Sequence, residues 1–271
     1  EPVDGLDYTD ITVPDSGSLT NLSEASPNNG TVWTATFTAN SAVDLSGQQF
    51  AVSGFADQFG HTNDGTGNTS DSFDIDTVAP TVTVSLSSSA IKAGDTVTVT
   101  LNASEPLIGL GTASDELLVP NLTSATSATS NVEGTVWTKT YTADADIDDP
   151  TNVITLLAGE AIDAAANSNV VASQSANYVV DTIDPLLSTI DDASGTSTDG
   201  DLTFRVTFSE PVDAASLEVG HFTTSVTGPD APSAGGVSSV TPVGTPVNGG
   251  HSQYDVLVSG AGGDAARPAA A

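Results

Sequence analysis

The chain has 271 residues, with 4 Lys+Arg against 35 Asp+Glu and a formal net charge of −31. Such a surface has too few cations to neutralise phosphates, so nucleic acid is excluded as a partner and an anionic membrane surface repels it. No run approaches the roughly 18 apolar residues of a membrane span, so direct membrane insertion is not expected of this segment, and zero Cys removes disulfides, thiolate metal sites and cysteine nucleophiles together.

In chain order, the first feature is a marker that returns. Glu1-Pro2 recurs as Glu105-Pro106 and Glu210-Pro211, and the stretch from Gly30 to Ala39, containing Thr31-Val32-Trp33-Thr34, recurs from Gly134 to Ala143 around Trp137. Asp76-Thr77-Val78-Ala79-Pro80 recurs as Asp181-Thr182-Ile183-Asp184-Pro185. The spacings are 104 and 105 residues, and three coincident markers at one period identify tandem repeats. Proline fixes an extended backbone and donates nothing to a sheet ladder, so the Asp-Thr-x-x-Pro segments read as short, stiff linkers. They divide the chain into 1–76, 77–181 and 182–260, followed by a tail at 261–271. On this division only 77–181 is a complete unit, the first lacking its initial strands and the last its final ones. With no Met and Glu as residue 1, the chain reads as an excerpt of a longer polypeptide.

Within the complete unit the hydrophobic period is two. Val82, Val84 and Leu86 alternate with Thr and Ser, as do Val97, Val99 and Leu101, which is the signature of half-buried strands. Further strands are predicted near 116–122, 134–142, 152–161 and 171–180, separated by Gly, Asn, Asp and Ser turns. Helical periodicity is nowhere sustained. The expected fold class is therefore all-β: tandem immunoglobulin-like β-sandwiches joined by Asp-Thr-x-x-Pro linkers, with Trp33 and Trp137 packed without a cysteine pair.

Together, the linker, the Ser-Glu-Pro after the second strand (Ser104-Glu105-Pro106, Ser209-Glu210-Pro211) and the Gly-Thr-x-Trp-Thr strand resemble the bacterial immunoglobulin-like domains repeated in large surface adhesins of the RTX type. The resemblance implies an extracellular, cell-surface or secreted spacer. It would hold a distal module that meets a surface glycan or protein, and its partners in this segment would be neighbouring repeats, with calcium near the junctions. The third repeat departs from the pattern, carrying Ser252-Gln253-Tyr254 where the tryptophan strand is expected.

Topology leads to calcium independently. In a seven-strand sandwich the entry of the first strand lies at the same end as the second-to-third and sixth-to-seventh strand loops. This gathers Asp76 from the linker, Glu105 from one loop, and Asp163 with Asn167 from the other. Three carboxylates in one partly buried joint repel one another unless a cation intervenes. Ca2+ takes 6 to 8 oxygen ligands in loose geometry and needs neither His nor Cys, whereas Mg2+ demands a stricter octahedron. The second junction offers Asp181 and Glu210, with Asp184 as a substitute, and Asp57 is the candidate in the first repeat.

The run Asp144, Asp146, Asp148 and Asp149 imitates the start of an EF-hand loop, but its sixth position is Asp149 instead of Gly and its twelfth is Thr155 instead of Glu. His61, His221 and His251 match no common repeat position, His61 reading as part of an inserted loop, so no catalytic constellation forms and no enzyme is expected. Two rival roles stay open: a glycan- or protein-binding module, and an accessory region of a large secreted enzyme.

Overall fold

The computed structural model describes residues 2–25, 29–63, 65, 68–108, 110, 117–193, 201–225, 235–247 and 249–259, and separates into two compact units, Glu1–Thr182 and Ile183–Ala271. The expected tail at 261–271 lies outside the described residues, as does Glu1. Among the described residues the regular structure is strand, apart from three short 3-10 turns at Tyr8–Asp10, Ala214–Ser216 and Val219–His221.

The repeat over 77–181 has two layers. One is a sheet in the order Leu122–Ser124, Val136–Ala143, Thr96–Ala103, Val82–Leu86, with Thr129–Ser130 also on Val136–Ala143. The other layer combines Ala90–Lys92, Tyr178–Asp181 and Asp148–Asn152 with Leu117–Leu118, Thr155–Leu156 and Ser173–Gln174. Alternation works as read: Val97, Val99 and Leu101 are buried between exposed or half-exposed threonines and pair with Tyr141, Lys139 and Trp137. The opposite layer contributes Ile154, Leu156, Tyr178 and Val180 to the same core. Full burial of such side chains stabilises the unit by about 1.5 to 3 kcal/mol each. Trp137 packs against this core while its Nε1–H donates to Gly134 O at 2.9 Å.

Three strand expectations are corrected, the 171–180 strand being divided into Ser173–Gln174 and Tyr178–Asp181, which pair in different sheets. The 152–161 strand is instead Asp148–Asn152 followed by Thr155–Leu156, so Asp148 and Asp149 lie within a strand. Pro150 disguised it: the ladder is irregular between Asp149 and Asn152, where a missing N–H is tolerated. The 116–122 strand is broken at Asn121, whose φ of 59° turns the chain, and its first residue lies outside the described set.

Among its described residues the first repeat holds four two-stranded pairings: Val3–Asp4 with Ala56–Asp57, Ile11–Thr12 with Ala51–Val52, Gly17–Glu24 with Trp33–Ala39, and Asp44–Gln48 with Phe73–Asp76. Phe37, Phe50 and Phe73 form its aromatic centre, with ring centroids 5.1 to 6.2 Å apart. Gly17 is required beside them, because a Cβ there would lie 2.3 Å from the Phe37 ring.

The second compact unit contains a four-stranded antiparallel sheet in the order Leu187–Asp192, Leu202–Val212, His251–Ser259, Gly236–Val243. This is the strand order of the first layer in 77–181. Val206 pairs with Tyr254 as Leu101 pairs with Trp137, so Tyr254 takes the tryptophan's place, and its hydroxyl donates to Val212 O at 2.6 Å. Arg205 and Asp255 form a bidentate ion pair across this sheet at 2.9 and 3.0 Å.

Candidate metal centre

The linker is anchored by its threonine. Thr77 Oγ1 donates to Asn40 O at 2.8 Å and accepts from Val43 N–H at 2.9 Å, while Thr77 N–H donates to Val43 O at 2.7 Å. The next junction repeats this, Thr182 exchanging the equivalent bonds with Ile147. Val78 N–H donates to Asp76 Oδ1, and Pro80 is fully buried. Asp76 is thus held at the end of one repeat and faces the next.

Glu105 stands just past the strand Thr96–Ala103, where Ser104 ties the loop to the linker by exchanging hydrogen bonds with Thr81 of 2.9 and 3.0 Å. Asp163 is 1% exposed and pairs with Leu107. Its Oδ1 accepts from Ala165 and Asn167 N–H at 2.8 and 2.9 Å. Asn167 Nδ2 donates to Asp163 Oδ2 at 2.9 Å and to Asp76 O at 3.2 Å, so this amide clamps carboxylate and linker together.

One carboxylate oxygen from each of Asp76, Glu105 and Asp163 lies within 4.8 Å of the other two. Three points with edges no longer than 4.8 Å share a point within about 2.8 Å of all of them, which brings one cation within reach of all three carboxylates. The donor set is hard oxygen throughout, which fits calcium. Burial, then the charges of Asp76, Asp163 and Asp44, pushes the Glu105 carboxyl above its ordinary value.

Asp44 was not singled out from sequence. It pairs across the ladder with Asp76, and Asp148 pairs with Asp181 in the same way one repeat later. Like charges directly opposite destabilise a sheet, yet this pair recurs at the repeat period.

The remaining candidates lie elsewhere. Asp181 ends the strand Tyr178–Asp181 in the first compact unit, while Asp184 and Glu210 belong to the second. Asp57 pairs with Val3 and accepts from Phe59 N–H at 2.8 Å, His61 N–H at 2.9 Å and His61 Nδ1–H at 2.7 Å. Those His61 bonds hold its carboxyl down at about 2. The inserted-loop reading of His61 is therefore corrected: relative to the aspartate it occupies the place of Asn167. A shift from 104 or 105 to 106 residues conceals the match in the sequence.

Two-layer β units that recur along the chain, with Asp76, Glu105 and Asp163 gathered where the first meets the second, define a tandem immunoglobulin-like β-sandwich protein. Residues 1–75 and 76–180 each match the bacterial Ig-like domain, and the chain belongs to that family. Among solved structures it is similar to FdeC, described as a broadly conserved Escherichia coli adhesin eliciting protection against urinary tract infections. The identity is 18% over 96% of this chain and 80% of that one, with a TM-score of 0.35. It is also similar to domains 4–9 of the surface layer protein SbsC, at 16% identity over 83% of this chain and 32% of that one, with a TM-score of 0.22. No curated protein matches the chain.

Proposed function

We propose that this chain is a structural extender region of a bacterial surface adhesin. Its repeats are stiffened by Ca2+ at their junctions, and they present a distal binding module away from the cell to mediate adhesion. Asp76, Glu105 and Asp163 would hold the ion. The observation that carries the reading is that the acidic triad draws its members from both sides of a linker. When bound, the ion supplies charge neutralisation and a bridge between repeats. The chain's own groups do the rest: Thr77 fixes the linker to one repeat, and Asn167 clasps it from the other. The role is mechanical and extracellular, with no reaction catalysed. The narrower kinship to RTX-type adhesins belongs to this proposal and is supported by the Asp-Thr-x-x-Pro and Ser-Glu-Pro motifs.

Extracellular modules hold calcium with dissociation constants of about 10⁻⁴ to 10⁻³ M, so ten times that concentration contributes only about 1.4 kcal/mol per site. This is too little to fold a sandwich and enough to bias a joint. Chelation is expected to leave the strand signal in circular dichroism intact while small-angle scattering broadens the distribution of interdomain angles. Superimposable scattering profiles with and without calcium would refute the calcium-stiffened extender.

A further inference from the structure

At the start of the second repeat four short segments lie side by side. Gly134 O, at the end of the turn that begins at Asn131, accepts Leu107 N–H at 3.0 Å, and Ile162 O accepts Ile108 N–H at 2.8 Å. Leu107 pairs with Asp163, and Ile162 pairs in turn with Ser168. Side chains alternate across this ribbon as they do on any sheet. Leu107, Ala161, Asp163 and Asn169 are buried, so Ile108, Ile162 and Val170 point outward. These three are 60%, 37% and 79% exposed, and Val132 is fully exposed at the tip of the adjoining turn.

The fold does not demand this aliphatic stripe. The first repeat builds the same ribbon, with Val3 N–H donating to Gly30 O, Val3 pairing with Asp57 and Ala56 with Thr62. There the sequence carries Asp4 for Ile108, Ala56 for Ile162 and Asp64 for Val170. Isolated surface aliphatics are ordinary, whereas a contiguous group that a sister repeat replaces with acidic or small residues marks a contact surface. The stripe stays exposed with the first repeat in place, since both repeats belong to one compact unit.

We propose that this stripe docks a cationic amphipathic helix. Charge selects the occupant. Glu133 follows Val132, Glu105 stands two positions before Leu107, and Glu160 lies across from Val170 beside the Ala161 and Asn169 pairing, all on a chain of net charge −31. An acidic rim favours a partner with Lys or Arg beside its apolar residues, and repels both a second copy of this chain and an anionic membrane surface. Spacing selects the helix. Neighbouring segments of a ribbon stand about 4.8 Å apart, so the outward side chains of three segments fall at steps of about 5 and 10 Å. Residues i, i+4 and i+7 of a helix laid across them rise by about 6 and 10.5 Å. The inference goes beyond the extender reading and does not require the calcium site.

The test titrates the full chain, in calcium, with a Leu/Lys peptide of about 18 residues whose leucines recur about every 3.6 positions. A peptide of the same composition with that order scrambled is the control. Calorimetry should show saturable binding of the patterned peptide and at least about tenfold weaker binding of the scrambled one. Amide shifts followed by NMR should centre on Ile108, Ile162 and Val170. Ile108→Asp combined with Val170→Asp installs the first repeat's own residues and should weaken binding about tenfold, although it adds two negative charges. If the double variant does not fold, Val170→Asp alone, at a largely exposed position, should still weaken binding about threefold. Equal binding of the two peptides, or variants that bind as tightly as the wild type or more so, would reduce the effect to net charge and overturn the proposal. Shifts centred elsewhere would overturn it as well. Self-association of the chain alone that Val170→Asp abolishes would also overturn it, by assigning the stripe to a second copy.

Discussion

Glu105→Gln separates repulsion from metal binding, because its effect should change sign with calcium. Two carboxylate oxygens no more than 4.8 Å apart repel by at least about 3.5 kcal/mol at an effective dielectric of about 20 and at least about 0.9 kcal/mol in bulk water. Glu105 is half-buried and faces two such neighbours, so at the lower end of that range its neutralisation relieves about 2 kcal/mol. In chelator at pH 7 the variant should therefore be the more stable protein, read from the urea midpoint of the tryptophan fluorescence. Calcium at a hundredfold its dissociation constant adds about 2.7 kcal/mol to a protein that keeps the site, which reverses the order. The pH dependence follows the same logic. Glu105 has a folded value raised above 4.5, so its contribution to stability is present in full below 4.5 and is lost as pH rises through the raised value. Acidifying the metal-free wild type from pH 7 should stabilise it more than the variant. A variant less stable than wild type in chelator, or one that responds to acid identically, would refute the claim that these carboxylates strain the joint.

Asp163→Ala and Glu105→Ala should be non-additive in calcium affinity by calorimetry, since each alone disables a shared site; additive losses would separate the two residues. Burial, with the charges of Asp149 and Asp144, pushes Tyr178 up to about 12 from 10.0, and its hydroxyl donates to Pro120 O at 2.5 Å. The stability this tyrosine contributes, about 3 kcal/mol, is present below pH 10 and lost as pH rises through about 12, so its phenolate absorbance should appear last and Tyr178→Phe should flatten the alkaline limb of the stability curve. Ser16 occupies the first-repeat position of Asn121, but its Oγ is buried without a hydrogen-bond partner among the described residues, so Ser16→Ala should raise thermal stability by an amount equivalent to about 1 kcal/mol; a loss would show that the hydroxyl is satisfied.

What the sequence disclosed is what recurs at fixed spacing. Asp76, Glu105 and Asp163 were legible because period, linker and loop order together imply one end of a sandwich, and the strands at 82–86 and 96–103 because their alternation is unbroken. Asp44 was hidden because its importance comes from lying across a ladder from Asp76, a relation that linear spacing does not express. His61 was hidden by loop length, and Tyr254 by the register of the third repeat, where only the pairing with Val206 reveals which residue fills the tryptophan's place. Pro150 misled in the other direction, since a ladder irregularity absorbs a residue that ordinarily argues against a strand.

The parallel pairing of Ala90–Lys92 with Tyr178–Asp181 gives the repeat a preferred response to force. Ala90, Ile91 and Lys92 stand opposite Val179, Val180 and Asp181, close to the points where the chain enters and leaves the repeat. When a string of repeats is pulled taut, the entering strand is drawn one way and the leaving strand the other, along their own axes. Hydrogen bonds between parallel strands loaded in this manner share the tension and must yield together, whereas those of a hairpin pulled from its open end break in succession. Tension would thus meet its resistance at this pairing, beneath which Ile91 and Val180 lie buried in the core.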